Sequence, residues 1–227
     1  MKSMIDYYNN QKDKYCNLKL EKPEIILDDV IDKASSKISW TRALKKDAER
    51  GCGHEYKNDA YREILYRPFC KQNAYADENF IESPGRIKNI FPSDKTTNRT
   101  IVVSGIGSRK EYLPIITDCL VDYNSMEAGA QRFPLYYYEE RNEEQSNLFD
   151  EQSDKYIRRD AISDFIYNLA RESYGGKVTR EDIFYYVYGF LHCPTYRERY
   201  SSDLKKMLPR IPLGGEPKDF WAFSKDG

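Results

Sequence analysis

Nowhere does this sequence carry a Cys-x-x-Cys pair, a phosphate-binding G-x-x-x-x-G-K-[ST] loop, or an apolar run long enough to cross a bilayer. Each absence removes a class of function. Without the glycine loop and its lysine the chain lacks the core of an ATPase motor. The five cysteines (Cys16, Cys52, Cys70, Cys119 and Cys193) are scattered and there are only two histidines, so zinc-ligand spacing is missing and no metal is expected. An odd cysteine count without framework spacing fits reduced thiols in a cytoplasm, and the lack of a signal sequence argues against secretion or a membrane partner. Charge of one sign is missing too: 36 Lys and Arg face 37 Asp and Glu, a net −1. Any nucleic-acid contact must therefore come from a local basic patch.

What is present is aromatic. The chain has 227 residues, enough for one domain with or without an appendage, and 20 of them are tyrosine. Tyrosine combines a large face with a polar tip and suits half-buried surfaces, so structural use is expected first. The clearest local pattern runs over residues 179–213. Thr179 with Asp182 forms a capping-box pair, and Ile183, Val187, Phe190 and Leu191 follow at helical spacing. Pro194 stops that helix and suits the first turn of the next, whose stripe is Tyr196, Tyr200, Leu204, Met207 and Leu208; Pro209 and Pro212 then impose an extended exit.

The run Y-V-Y-G-F-L-H-C-P-T-Y-R-E-R-Y followed by L-P-R-I-P-L resembles the C-terminal part of type ISP restriction-modification enzymes, single-polypeptide ATP-dependent proteins that join nuclease, helicase, adenine methyltransferase and target-recognition parts. Three further motifs extend the resemblance in the family's order: I-S-W-T-R-A-L-K-K-D (residues 38–47), L-Y-R-P-F-C-K-Q (65–72) and F-P-L-Y-Y-Y-E-E (133–140). Several long motifs in register are a specific signal. One departure stands out: before F-P-L the family tends to read G-G-x-Q-C, whereas this chain reads A-G-A-Q-R, with Arg132 in place of a small residue. The resemblance implies a C-terminal piece of something longer. Its partners would be double-stranded DNA and the methyltransferase domain of the parent enzyme. S-adenosylmethionine, ATP and Mg would serve the other domains, with no cofactor in this chain.

Candidate DNA-binding residues follow the chain. Arg42, Lys45 and Lys46 share one helical face beside Trp40, capped by Ser39 or Thr41; they read equally as phosphate anchors and as a solvated face. Residues 64–77 read as two strands around R-P-F, with Tyr66, Phe69 and Tyr75 packing and Arg67 in a structural hydrogen-bonding role. Residues 78–97, containing Arg86, Lys88 and Asn89, read as a long recognition loop. Arg99 leads a strand that runs into G-I-G-S-R-K, where backbone N–H groups, Ser108, Arg109 and Lys110 could meet a phosphate or form an exposed basic turn. Arg86, Lys88, Asn89, Arg109, Lys110 and Arg132 are the candidates for reading bases, and Arg42, Lys45, Lys46 and Arg99 for holding phosphates. Arg197, Glu198 and Arg199 are candidates for docking the methyltransferase.

Catalytic chemistry is not apparent. There is no polar-Pro-Pro-aromatic loop to grip a flipped adenine and no glycine-rich turn for a methyl donor. Asp118 and Asp122 do not form a nuclease arrangement, and His54 and His192 have no evident partners. The expected fold is mixed α+β: a strand-rich centre flanked by helices, with a C-terminal helical hairpin. Three parts are expected: a helical linker over 1–35, a strand-rich recognition region over 36–145 with a solvated connection at its end (139–152), and a helical region over 146–227, with an amphipathic helix presenting Ile162, Phe165, Ile166 and Leu169 and a final helix that breaks off at Gly227. The functional expectation is sequence-specific duplex recognition, positioning a site for adenine-N6 methylation or cleavage by other domains. The alternative is an interaction module that binds the methyltransferase domain and no DNA.

Overall fold

The structure, a computed structural model, describes residues 1–82, 85–141 and 155–227. It is mixed α+β with a helical C-terminal part, as expected. Contacts divide the chain into two compact units: Met1–Arg62 with Asn73–Gly85, and Glu63–Gln72 with Arg86–Gly227.

The first unit is built on α1 (Lys2–Glu21) and α2 (Arg42–Glu49). Their shared core holds Tyr8, Tyr15, Leu27, Ile31, Ile38 and Leu44, with Trp40 and Phe80 packed against it. The N-terminal segment therefore has a core in common with the residues that follow it. Thr41 caps α2 by accepting from Leu44 N at 3.1 Å. Tyr8 is fully buried, and its hydroxyl donates to Cys52 O at 2.9 Å. His54 has neighbours the sequence did not reveal: its Nε2 lies 3.2 Å from Asp47 Oδ2, without hydrogen-bond geometry, and its ring is 5.0 Å from that of Tyr8.

The second unit is organised by a four-residue strand. Elements β1 (Tyr61–Arg67) and β2 (Cys70–Tyr75) make a hairpin whose outer part, Glu63–Gln72, belongs to this unit. After α3 (Ile87–Ile90) comes β3 (Thr100–Val103), flanked antiparallel by β4 (Ile115–Thr117) and β6 (Gln131–Pro134). Every residue of β3 is buried, because it is central and both faces are covered. Its alternating side chains serve two cores. Ile101 and Val103 pack with Phe184, Leu191, Tyr196 and Leu204; Val102 packs with Leu65, Ile115, Cys119, Val121 and Met126. Strand β5 (Leu120–Val121) pairs parallel to β1, matching Ile64 to Leu120 and Leu65 to Val121.

Strands β7 (Tyr136–Glu140) and β8 (Tyr156–Asp160) pair antiparallel. Helices α4 (Asp164–Tyr174), α5 (Arg180–Leu191), α6 (Pro194–Arg199) and α7 (Pro217–Asp226) complete the unit. The Thr179–Asp182 capping box forms, and Pro194 opens α6. Helix α7 lies directly on α5 because Gly189 has no side chain: a Cβ there would sit 2.2 Å from Phe223 O. Around that contact Phe220 stacks on Tyr174, with ring centroids 4.3 Å apart.

Four local expectations are corrected. Helix α6 ends at Arg199; beyond it come turns, and Met207 and Leu208 are exposed rather than part of an apolar stripe. Helix α4 starts at Asp164, so Ile162 of the expected stripe precedes it, and Phe165 is 73% exposed while Ala170 and Tyr174 are buried. Residues 78–97 contain a 3-10 turn (Glu78–Phe80) and α3, so the stretch is not one open loop. Phe69 does not pack: it is 81% exposed. Of the acidic connection expected over 139–152, residues 142–152 lie outside the described residues.

Candidate nucleic-acid interface

Beyond Val103, β3 ends in a turn over residues 105–110 that is fixed on two sides. Gly105 N donates to Glu127 O at 3.1 Å, and Gly107 N donates to Lys205 O at 2.7 Å. Only glycine fits at 105, where a Cβ would meet Ala128 O at 2.0 Å. The Glu127 carboxylate accepts from Lys110 N at 2.7 Å and from Ser108 Oγ at 2.9 Å. Those donors hold its carboxyl below the usual range. The result is a rigid basic tip: Arg109 and Lys110 are exposed and neither side chain makes an ion pair among the described residues, while Ile106 is 57% exposed beside them.

The same loop that carries Glu127 reaches back to the β1–β2 hairpin. Asp122 N donates to Leu65 O at 3.1 Å, and Asp122 Oδ1 accepts from Asn124 N at 2.8 Å and lies 3.5 Å from Arg67 Nη1. The Arg67 guanidinium lies over the Tyr66 ring, 4.0 Å from its centroid. On the other strand Lys71 bridges Glu63 at 2.8 Å and Asp118 at 2.9 Å. Hydrogen bonds to those two carboxylates push its ammonium pKa upward. Hairpin, 122–130 loop, 105–110 turn and Lys205 thus form one continuous bonded surface. Exposed along it are Phe69, Tyr123 and Ile106 with Arg67, Arg109, Lys110 and Lys205.

Of the residues singled out in the sequence, Arg109 and Lys110 stand exposed on this surface. Ser108 is buried and gives its hydroxyl to Glu127; Arg132 is half-buried and donates to Val121 O at 3.2 Å. Both brace the surface from behind. Asn89 donates to Tyr138 O at 2.9 Å, and the exposed Arg99 bonds the Tyr185 hydroxyl with its guanidinium 5.5 Å from that ring. Arg86 and Lys88 are exposed at α3. Arg42, Lys45 and Lys46 lie in the other unit, where Lys45 pairs with Asp28 at 2.8 Å, Arg42 lies 3.6 Å from Glu82, and Lys46 is exposed without an ion pair among the described residues. Arg197 donates to Tyr112 O at 2.8 Å and pairs with Glu111. Sequence reasoning did not single out four exposed residues of this surface for it: Phe69, Ile106, Tyr123 and Lys205. Only Phe69 left a signal, as the bulky residue after R-P at a hairpin tip.

Metal binding finds little support in the side chains. Among the described residues Glu63, Asp118 and Cys119 bring ligand atoms together, but Lys71 already places its ammonium against both carboxylates. Cys119 is buried, and that burial raises its thiol pKa. This donor set does not fit the carboxylate-and-water shell that Mg²⁺ takes. Nor is any helix among the described residues long and apolar enough to cross a membrane.

Comparison with known proteins places the chain. No curated protein matches it at a significant level. Solved structures do, and three of them are informative. The ATP-dependent Type ISP restriction-modification enzyme LlaBIII bound to DNA is 30% identical over 100% of this chain, with a TM-score of 0.75. A nuclease-deletion mutant of the Type ISP enzyme LlaGI, in complex with a DNA substrate mimic, is 28% identical over 99% of this chain, also at 0.75. The DrdV–DNA complex is 27% identical over 99%, at 0.77. This chain spans 13%, 16% and 20% of those proteins, respectively. The family description "Type ISP C-terminal specificity domain" matches residues 1–227, and the chain belongs to that family.

Proposed function

We propose that this chain recognises a specific duplex DNA sequence and positions it for adenine-N6 methylation or cleavage by other domains of a Type ISP enzyme. The observation that carries this reading is the bonded loop surface of the second unit, where exposed apolar side chains stand among cations of which Arg109, Lys110 and Lys205 make no ion pair among the described residues. Cations there can neutralise phosphates, and rigid loops can aim side chains at base edges. Three relatives of matching fold, each bound to DNA or a DNA mimic, support it. In this reading the chain performs no chemistry itself. S-adenosylmethionine, ATP and Mg²⁺ serve the methyltransferase, motor and nuclease of the parent enzyme, and the methyltransferase domain is its protein neighbour.

A second reading, an interaction module, draws support from one feature. A groove of about 670 Å³, largely apolar, is lined by Phe190, Tyr196, Tyr200, Leu204, Met207 and Leu208. Selection from random duplexes, at low and at near-physiological salt, separates the two. Enrichment of one sequence that survives the higher salt supports recognition. Binding that is unselective and vanishes with salt sinks it, because phosphate contact alone behaves that way.

A further inference from the structure

Phe69 occupies the tip of the β1–β2 hairpin at φ 59°, in the left-handed region. Glycine or asparagine takes that conformation cheaply, and a bulky side chain does not. The phenylalanine buries little surface on folding in return. It is 81% exposed and faces no other aromatic ring among the described residues. A strained and solvated aromatic is a liability for the free protein, so its use lies in a complex.

The tip is also held stiffly. Leu65 is buried at the root of the hairpin, β1 pairs with β5, Arg67 lies against Asp122, and Lys71 ties the hairpin to Asp118. Beside Phe69 stands a cation, Arg67, laid over Tyr66; on the adjoining loops are Tyr123, 62% exposed, and the basic pair Arg109 and Lys110. A rigid apolar blade flanked by cations matches a stack of flat bases flanked by phosphates.

We propose that Phe69 enters the base stack of bound duplex DNA as a wedge, opening one base step while Arg109 and Lys110 hold neighbouring phosphates. This rests on the DNA-recognition reading. It adds that the chain deforms the duplex, an aid to any domain that must extract a base.

The test uses the full chain and the duplex enriched by selection, carrying 2-aminopurine at each adenine or pyrrolocytosine at each cytosine in turn. Affinity is read by anisotropy and unstacking by fluorescence of the analogue. Wild type should bind and raise fluorescence at one step. Phe69→Ala should bind about tenfold more weakly, within the range for base–aromatic stacking. It should keep the salt slope, since phosphate contacts are untouched, and lose the fluorescence rise. Phe69→Trp should restore both. Phe69→Gly should behave as Phe69→Ala without lowering the melting temperature, which removes misfolding as the cause. A wild-type chain that binds its selected sequence with no rise at any step overturns the wedge alone. So does a Phe69→Ala chain that keeps both affinity and rise. If no sequence is enriched, the recognition reading fails and the wedge with it.

Discussion

The two units handle their charges differently. In the first, lysines meet carboxylates: Lys37 with Asp32 at 2.7 Å, Lys45 with Asp28 at 2.8 Å, and Lys57 with Asp77 at 2.7 Å. In the second, ion pairs gather on hairpins and helices, such as Arg159 with Glu139 and Arg180 with Asp160. The cations at the loop tips, Arg109, Lys110 and Lys205, make none among the described residues. A cation already facing a carboxylate must give up that partner before it can gain a phosphate, whereas an unpaired one releases only counterions. By that argument Arg42 and Lys45 of α2, whose basic face is the more regular pattern in the sequence, are weaker candidates for DNA contact than Arg109 and Lys110 in the irregular turn at 105–110.

Trp40 reports on the first unit and Trp221 on the second, so single-tryptophan variants let each be followed by fluorescence during urea unfolding. The largest expected effect is that of Tyr8→Ala. It empties a fully buried site and should cost about 4 kcal/mol, seen first at Trp40. An equal loss at Trp221 would mean that the units unfold as one. Gly189→Ala should cost about 2 kcal/mol at Trp221, as the clash with α7 outweighs the better helix propensity of alanine.

Replacing Arg109 and Lys110 together by alanine should lower the slope of log affinity against log salt by about 2, one for each phosphate contact, and leave both unfolding transitions in place. The triple change Arg42→Ala, Lys45→Ala, Lys46→Ala should lower it by less. A larger drop from the triple variant would break the contrast drawn between the units. The smallest effect concerns pH. Burial pushes the Asp77 carboxyl upward, but the Lys57 ammonium and the Asn79 N–H outweigh it and hold the pKa below the ordinary value. The Asp32 and Asp28 carboxyls are lowered too, chiefly by Lys37 and Lys45. Groups with depressed folded pKa values stabilise above the unfolded value, near pH 4, and lose that contribution as pH falls through the folded one. The Trp40 transition should therefore weaken below about pH 4, and Asp77→Asn should weaken that dependence.

Much of the fold was legible because it obeys local rules. The capping box at Thr179, the proline opening α6, the cap at Thr41 and the apolar run of β3 each depend on residues within a turn or two of one another. Strand β8 was not legible. Y-I-R-R-D has a mixed pattern, and it becomes a strand by pairing with β7, 20 residues earlier at the Tyr138–Arg158 pair. The helix α6 was read too long for a related reason: Leu204 is buried, but Met207 and Leu208 flank the groove, and periodicity cannot tell a core stripe from a groove lining.

The sequence by itself determined the family, through motifs spread along its length, and the residues that start and stop the principal helices, because those signals are short-range chemistry. Tertiary structure alone decided which cations are available. Arg132 and Arg99 look on paper like Arg109 and Lys110, yet Arg132 is half-buried on Val121 O and Arg99 is held by the Tyr185 hydroxyl, while the other two side chains make no ion pair among the described residues. It decided also that a hairpin, a loop and a glycine turn, far apart in sequence, share one surface through Asp122 and Glu127. Such contacts depend on where the chain returns in space, which no local pattern encodes.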